Sequence, residues 1–446
     1  MKFTIIGGDA AGMSAASRAK RSRPDLEVVV LEQSLDVSYS ACGMPYNIAD
    51  PNASIEALVV RQAKVFREKQ GIDLRTGHRV NAIDTGNKTV SGNRSGGDRF
   101  QVDYDHLLIA TGASPSIPDL PGFDLPGVMP LKSLAHGRQI KTFIEANGIK
   151  RAVIVGMGYI ALEMCEALRA RGIGVDMVKP RPTFMPGMHP DLAHVVKTEL
   201  EDHDVALHLG RTLKGIEKSG GALRVITDDG ALEGDMVLVA VGVDPNSELA
   251  EGAGLELGPS RAIKVDKSLR TSDENIFAAG DCADAFHVVT GERTWIPLAL
   301  RANRAGWAVA DNVTGKAVSL DGVAGTAVFK AFDLQVAKTG LTPKEAEASG
   351  FEPVDVMIKS RSRAHAQPDA TTIRVHMVGD RRSGRLLGVH MVGKEGVAHR
   401  INAPAVGLHQ RMTVEAFSQC DLAYAPPFGP TWDPMLTAAV QLLKKM

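Results

Sequence analysis

RAVIVGMGYIALEMCEALRARGIGVDMVK, residues 151–179, is the stretch on which the fold turns. A short apolar run, RAVIVG, ends on glycine, a helix-length segment follows, and GVDMVK at 174–179 reads as a second buried strand. Strand, glycine turn, helix and strand within about 30 residues make the unit of a parallel sheet, in which a dinucleotide pyrophosphate rests on the helix N-terminus. Gly156, Gly158 and Ala161 fit the GxGxxA pattern, with Tyr159 and Ile160 in the same turn. At the strand end, where an adenosine ribose would normally meet a carboxylate, stands Lys179, with Arg181 two residues on. Cations there favour a 2′-phosphate, hence NADPH, with NADH the lesser alternative. The competing reading is a pair of solvated surface cations.

The same order opens the chain. KFTIIGG leads into AGMSAASRAKR and then VVVLE, which ends at Glu32. Gly7 suits the tight turn, Gly12 suits close helix–strand packing, and Glu32 lies twenty residues past Gly12, where a ribose 2′-OH acceptor is expected. Asp9 replaces the middle glycine, so the strict GxGxxG pattern fails and this stretch alone fits a structural turn equally well. Two such units imply two nucleotides. GASPSIPDLPGFDLPG (112–127) separates the units, a second crossing is expected near VAVGVDPNSELA (239–250), and NIFAAGDCAD (275–284) supplies another Gly-Asp turn. From about 321, short β-prone runs (GTAVFKAF, VDVMIKS, TIRVHMV) precede a helical tail. The expected fold class is α/β, two doubly wound dinucleotide-binding domains followed by an α+β domain. The expected division is 1–115 and 245–320 for the first dinucleotide domain, 116–244 for the second and 321–446 for the third.

Composition sets limits on function. The 446 residues suffice for about three domains, and 51 basic against 52 acidic residues leave a net charge of −1, which argues against a nucleic-acid partner. No apolar stretch reaches the length of a membrane span, and MKFTIIGG runs into a glycine turn where a signal peptide would carry a cleavage site. A cytoplasmic protein without a membrane partner is expected. The cysteines, at 42, 165, 282 and 420, lie more than a hundred residues apart, so local spacing offers neither a zinc knuckle nor a disulfide framework. Cysteine chemistry would therefore rest on a single thiol placed by the fold.

Taken together, IIGGDAAGMSAA with Glu32, LLIATGASP (107–115), the second dinucleotide turn and NIFAAGDCAD resemble the FAD-dependent pyridine nucleotide-disulfide oxidoreductases, in the family's order along the chain. SYSACGMPY (38–46) and LAYAPPFGPTWDP (422–434) resemble the single-cysteine branch, which includes coenzyme A-disulfide reductases, persulfide or polysulfide reductases and NAD(P)H oxidases. The resemblance implies that the first dinucleotide domain holds FAD and the second NADPH. It implies flavin contacts from Glu32, Ala110, Thr111, Gly112, Gly280 and Asp281, and a dinucleotide contact from Gly242. It further implies a redox-active Cys42 and a third domain that forms a homodimer and brings Tyr424 to the partner's site as proton donor. Cys42, at a turn entering a helix, is expected to be favoured as a thiolate by unpaired backbone N–H groups. A second redox cysteine would stand five residues away, where Val37 and Asn47 are found. Cys165 and Cys282 read as packing residues, and Cys420, four residues before Tyr424, as a packing residue or a resolving thiol.

Two departures bear on the substrate. Coenzyme A-disulfide reductases of the branch carry a tyrosine pair in the third domain, where RAHAQPDATT (363–372) offers only His365 as a proton donor. The related peroxidases and water-forming oxidases carry a histidine in the first glycine turn, where Ala10 stands here. The expected activity is NADPH-dependent reduction of a small disulfide, persulfide or polysulfide, as in the coenzyme A-disulfide reductases, the missing tyrosines weighing against coenzyme A disulfide itself. An NAD(P)H oxidase and a non-enzymatic flavin redox sensor are the alternatives. SRAKR (17–21) fits either the phosphates of a nucleotide-bearing thiol or an ordinary basic helix end.

Overall fold

The two glycine turns lie at equivalent points of two parallel sheets. In the computed structural model, which describes residues 1–446, the first sheet runs Ile276–Ala278, His106–Ile109, Lys2–Ile6, Glu27–Glu32, Asp73–Thr76. The second runs Val205–Leu209, Gly174–Lys179, Arg151–Val155, Met236–Val239, Val128–Pro130. Each central strand feeds a helix, Ala10–Ser22 or Tyr159–Ala170, and then its parallel neighbour. Strand order reverses beside each central strand, which opens a crevice at the carboxyl ends. Gly7 and Gly156 sit at those ends with φ of 112° and 114°. A Cβ on Gly7 would run into the Ala110 carbonyl oxygen, and one on Gly156 into that of Ala240, so each turn needs glycine on both counts.

Asp9 is accommodated at the middle position because its φ of −109° suits any L-residue. Gly12 lets the first helix approach the Gly7 carbonyl, and Gly306 of helix Ala299–Val313 lies against the Ala11 carbonyl. The first core, 43 buried residues, joins residues before 110 to residues beyond 249, so this first unit closes only when the chain returns.

The third unit is an antiparallel sheet in the order Ala327–Ala331, Leu334–Gly340, Leu386–Gly393, Thr372–Asp380, Pro353–Arg361. One face packs with helix Pro434–Leu443 through Met435, Ala438 and Leu442. The other face puts Val336 and Val392 into the core of the second dinucleotide unit. Two three-stranded antiparallel sheets went unread in the sequence: His78–Asp84, Thr89–Arg94, Arg99–Asp103, and Leu213–Ser219, Ala222–Thr227, Gly230–Gly234. The alternating burial of Ala222–Thr227 was a usable period-two signal. No helix is long and apolar enough to cross a membrane.

Candidate active site

Cys42 lies in the 3₁₀ turn Ala41–Gly43 that leads into helix Met44–Ala49. The turn forms because Gly43 N–H donates to the Ser40 carbonyl, and Pro45 starts the helix where its missing N–H costs nothing. Cys42 keeps solvent access, whereas Cys165 and Cys282 are fully buried. Its electrostatics correct the expectation of a stabilised thiolate. Partial burial, then the charge of Glu163, push the Cys42 thiol up, Lys132 opposes them, and Asp281 and Asp9 add to the rise.

The positions that could have held a second thiol serve packing. Val37 is buried. The Asn47 amide donates to the Ser54 carbonyl at 2.9 Å, and its own oxygens accept from the buried Lys141 ammonium, which also donates to the carbonyls of Asp50 at 2.8 Å and Ala53 at 2.6 Å. Lys141 therefore gathers the polypeptide just beyond Cys42.

Three pairings escaped sequence reading because their members are far apart along the chain. The Lys132 ammonium meets Asp281 at 2.8 Å. The Tyr46 hydroxyl donates to Glu163 at 2.8 Å, joining the Cys42 helix to the second dinucleotide helix; burial pushes both groups up. The Arg400 guanidinium donates to the Phe428 carbonyl at 2.8 Å and to Asp433 at 2.8 Å, holding the loop that carries Tyr424.

The first crevice brings together Gly7, Gly12, Ala110, Thr111, Gly112, Gly280 and Asp281. The Thr111 hydroxyl donates to the Asn246 carbonyl at 2.6 Å, and the Asn246 amide returns a bond to the Thr111 carbonyl at 2.8 Å, fastening the two crossings. Glu32, at its strand end, accepts from Gly8 N–H at 2.7 Å and Ser34 N–H at 2.7 Å. In the second crevice a Cβ on Gly158 would meet nothing within 4 Å, so the helix start faces open space. Tyr159 stacks on Phe329 with centroids 4.9 Å apart, and Ile160 and Val241 beside Gly242 are exposed. Burial first, and then the nearby Arg181, lower Lys179. Lys179 donates to the Thr183 carbonyl at 2.9 Å, while Arg181 is exposed.

Tyr424 is 49% exposed, and Phe428 and Trp432 beside it are exposed too, so a lone chain leaves this aromatic loop uncovered. Ala364 N–H donates to the Pro426 carbonyl at 3.1 Å, which places the His365 stretch next to the Tyr424 loop. The Cys420 thiol donates to the Ala416 carbonyl within its own turn, as a packing residue would. In the basic run 17–21, Arg18 is paired with Asp311 at 2.6 Å and Lys20 donates to the carbonyls of Pro24 and Leu26.

With two such crevices and one open thiol in view, comparison with known proteins is direct. Residues 1–306 match the family model of the pyridine nucleotide-disulphide oxidoreductases, and residues 326–435 match that family's dimerisation domain. The chain belongs to this family. As a pyridine nucleotide-disulphide oxidoreductase it is 39% identical to a CoA-dependent NAD(P)H sulfur oxidoreductase of Pyrococcus furiosus, over 98% of each chain. It is 34% identical to an NADH oxidase of Methanocaldococcus jannaschii, over 100% of this chain and 99% of that one. Among solved structures, an NAD-dependent persulfide reductase from A. fulgidus superposes with a TM-score of 0.96 at 35% identity, covering 100% of this chain and 83% of that one. An oxidoreductase of this family, with a dimerisation domain at its C-terminal end, is thus what the two nucleotide-type crevices and the open thiol serve.

Proposed function

We propose that the protein uses NADPH and FAD to reduce a small disulfide, persulfide or polysulfide at Cys42, with a coenzyme A thiol as one candidate carrier. The observation that carries this reading is the exposed Cys42 thiol beside Glu163 and Asp281, with Val37 and Asn47, five residues to either side, committed to packing and hydrogen bonding. Residues 1–115 and 245–320 would hold FAD through the Gly7 turn, Gly12, Glu32, the 110–112 segment, Gly280 and Asp281. Residues 116–244 would hold NADPH through Gly156, Gly158, Tyr159, Ile160 and Gly242, with Lys179 and Arg181 facing the 2′-phosphate. The glycine turns fit these groups, since each delivers the chain into a helix start, whose first-turn N–H groups have no intrahelical partner, and the space over Gly158 is open to a pyrophosphate.

FAD supplies two-electron transfer from nicotinamide to sulfur when bound. The chain's own residues do the rest. The Cys42 sulfur, as thiolate, attacks one sulfur of the substrate, forming a mixed disulfide and expelling the other sulfur as a thiolate. That leaving thiolate takes a proton from Tyr424 of the partner subunit in a homodimer. Two electrons from NADPH then cleave the mixed disulfide, so each turnover consumes one NADPH and one proton and yields two thiols from a disulfide. Because Glu163 and burial oppose the thiolate, Cys42 depends on Lys132 to offset them.

The test is Cys42→Ser, which should retain FAD and its reduction by NADPH and lose sulfur turnover. Undiminished sulfur reduction would overturn the assignment. NADPH consumption that tracks dioxygen without a sulfur substrate would instead support an oxidase, the activity named for the M. jannaschii relative. A single stoichiometric reduction without turnover would mark a redox sensor.

A further inference from the structure

A cluster of imidazoles lies where the second dinucleotide unit meets the C-terminal sheet. His376 stands directly opposite His390 on one neighbouring strand and opposite Met357 on the other. Period-two alternation puts Asp355 on the same face as Met357. From the other unit comes His189, which caps helix Pro190–Asp202 by accepting from Asp191 N–H through Nδ1 at 3.2 Å. The His189 and His376 ring centroids are 4.7 Å apart, and His376 Nε2 lies 3.0 Å from Asp355 Oδ2. One donor atom from each of His189, Asp355 and His376 falls within 4.8 Å of the others.

Packing does not account for these side chains. The face they occupy contributes Val336 and Val392 to the neighbouring core and also carries Lys338, opposite His390, and Arg374, opposite Val392. His376 and His390 are each 1% exposed, and Nδ1 of each is buried without a hydrogen-bond partner. An unpaired buried nitrogen costs stability, and this face carries two.

We propose that His189, Asp355 and His376 bind one divalent transition-metal ion, zinc by preference, across the joint between the two units, His189 giving up its hydrogen bond from Asp191 N–H as its lone pair turns to the metal. Two imidazoles and a carboxylate suit zinc, whereas an oxygen-only set would suit magnesium or calcium. Ligands at zinc distances of about 2.0–2.1 Å stand about 3.3 Å apart in a tetrahedron. The His376–Asp355 pair is already close to that spacing. Once Nε2 is a ligand, the His376 proton sits on Nδ1, which is buried and without a partner in the folded chain. The ion would tether the segment that runs from Arg181 to His189. The site stands independently of the NADPH reading.

Zinc alone is the probe, added to chelator-stripped, FAD-loaded enzyme carrying Cys42→Ser so that the open thiol takes up none. One zinc per chain, located at the cluster by anomalous diffraction, is expected. His189→Asn keeps a capping oxygen for the helix and removes the imidazole, and Asp355→Asn keeps the shape of the carboxylate. Each should weaken zinc binding by about tenfold or more, and zinc should raise Tm in the parent more than in either variant. Substoichiometric zinc, zinc located elsewhere, or parental affinity in both variants would overturn the proposal.

Discussion

Asp9 occupies the place where a dinucleotide turn ordinarily has glycine, and its burial pushes the carboxyl up from 3.8 to about 6. The folded chain therefore holds this proton more tightly than the unfolded chain does. Its contribution to stability is complete below about pH 3.8 and is lost as pH rises through about 6. A pyrophosphate in the first crevice would add negative charge and act in the same sense. Release of FAD, followed by its fluorescence, should accordingly increase between about pH 5 and 7, and Asp9→Asn should flatten that step. At Cys42 the signs are opposed. Glu163→Gln should lower the pH midpoint of thiol alkylation and Lys132→Gln should raise it, measured as alkylation rate against pH in the thiol-reduced enzyme. The sequence showed Cys42 but not these neighbours. Glu163 lies on a helix more than a hundred residues later, and Lys132 meets Asp281 across 149 positions, separations at which no local period carries information.

Among the elements, the strand–turn–helix units were legible because their rules are local: a positive φ at Gly7 and Gly156, apolar strands and small residues where helices approach. The strand read at 174–179 has those same limits, Gly174–Lys179. The two small antiparallel sheets were missed because their strands lie outside the nucleotide motifs, although Ala222–Thr227 and Arg99–Asp103 alternate cleanly. Lys141 was invisible for another reason, as a lone lysine in an amphipathic helix reads as solvated. In the structure it binds the carbonyls of Asn47, Asp50 and Ala53, so Lys141→Ala should destabilise the chain by about 2–4 kcal/mol through unpaired carbonyls. Hydrogen exchange should quicken first in residues 44–53. At the end of Gly174–Lys179, Lys179→Glu should move coenzyme preference toward NADH by about 10–100-fold in kcat/KM, the worth of about 1.5–3 kcal/mol for a charge-assisted contact. Equal use of both coenzymes by the parent would return Lys179 and Arg181 to the solvated surface.

For the whole molecule, the aromatic loop around Tyr424 stays exposed in a lone chain, and Arg400 and the Ala364–Pro426 bond set its shape. Chains carrying Cys42→Ser and chains carrying Tyr424→Phe, each inactive alone, should regain activity when exchanged into mixed dimers, since one site then holds both intact residues. No recovery in verified heterodimers would place Tyr424 outside the partner's site. The third unit's β-prone runs announced its sheet, but what that sheet packs against followed only from the fold.

The junction of Gly306 with the Ala11 carbonyl also dictates a timetable for synthesis. The helix at 10–22 leaves the ribosome about 250 to 290 residues ahead of the strand and helix that seal it, Ile276–Ala278 and Ala299–Val313. At about 5–20 residues per second, that is a wait of about 15–60 s. The sheet spanning residues 128–239 is contiguous and complete long before. Ribosome-stalled chains ending near residue 285 should therefore resist protease across 128–239 while failing to retain FAD, so that a helix made before that sheet is finished after it.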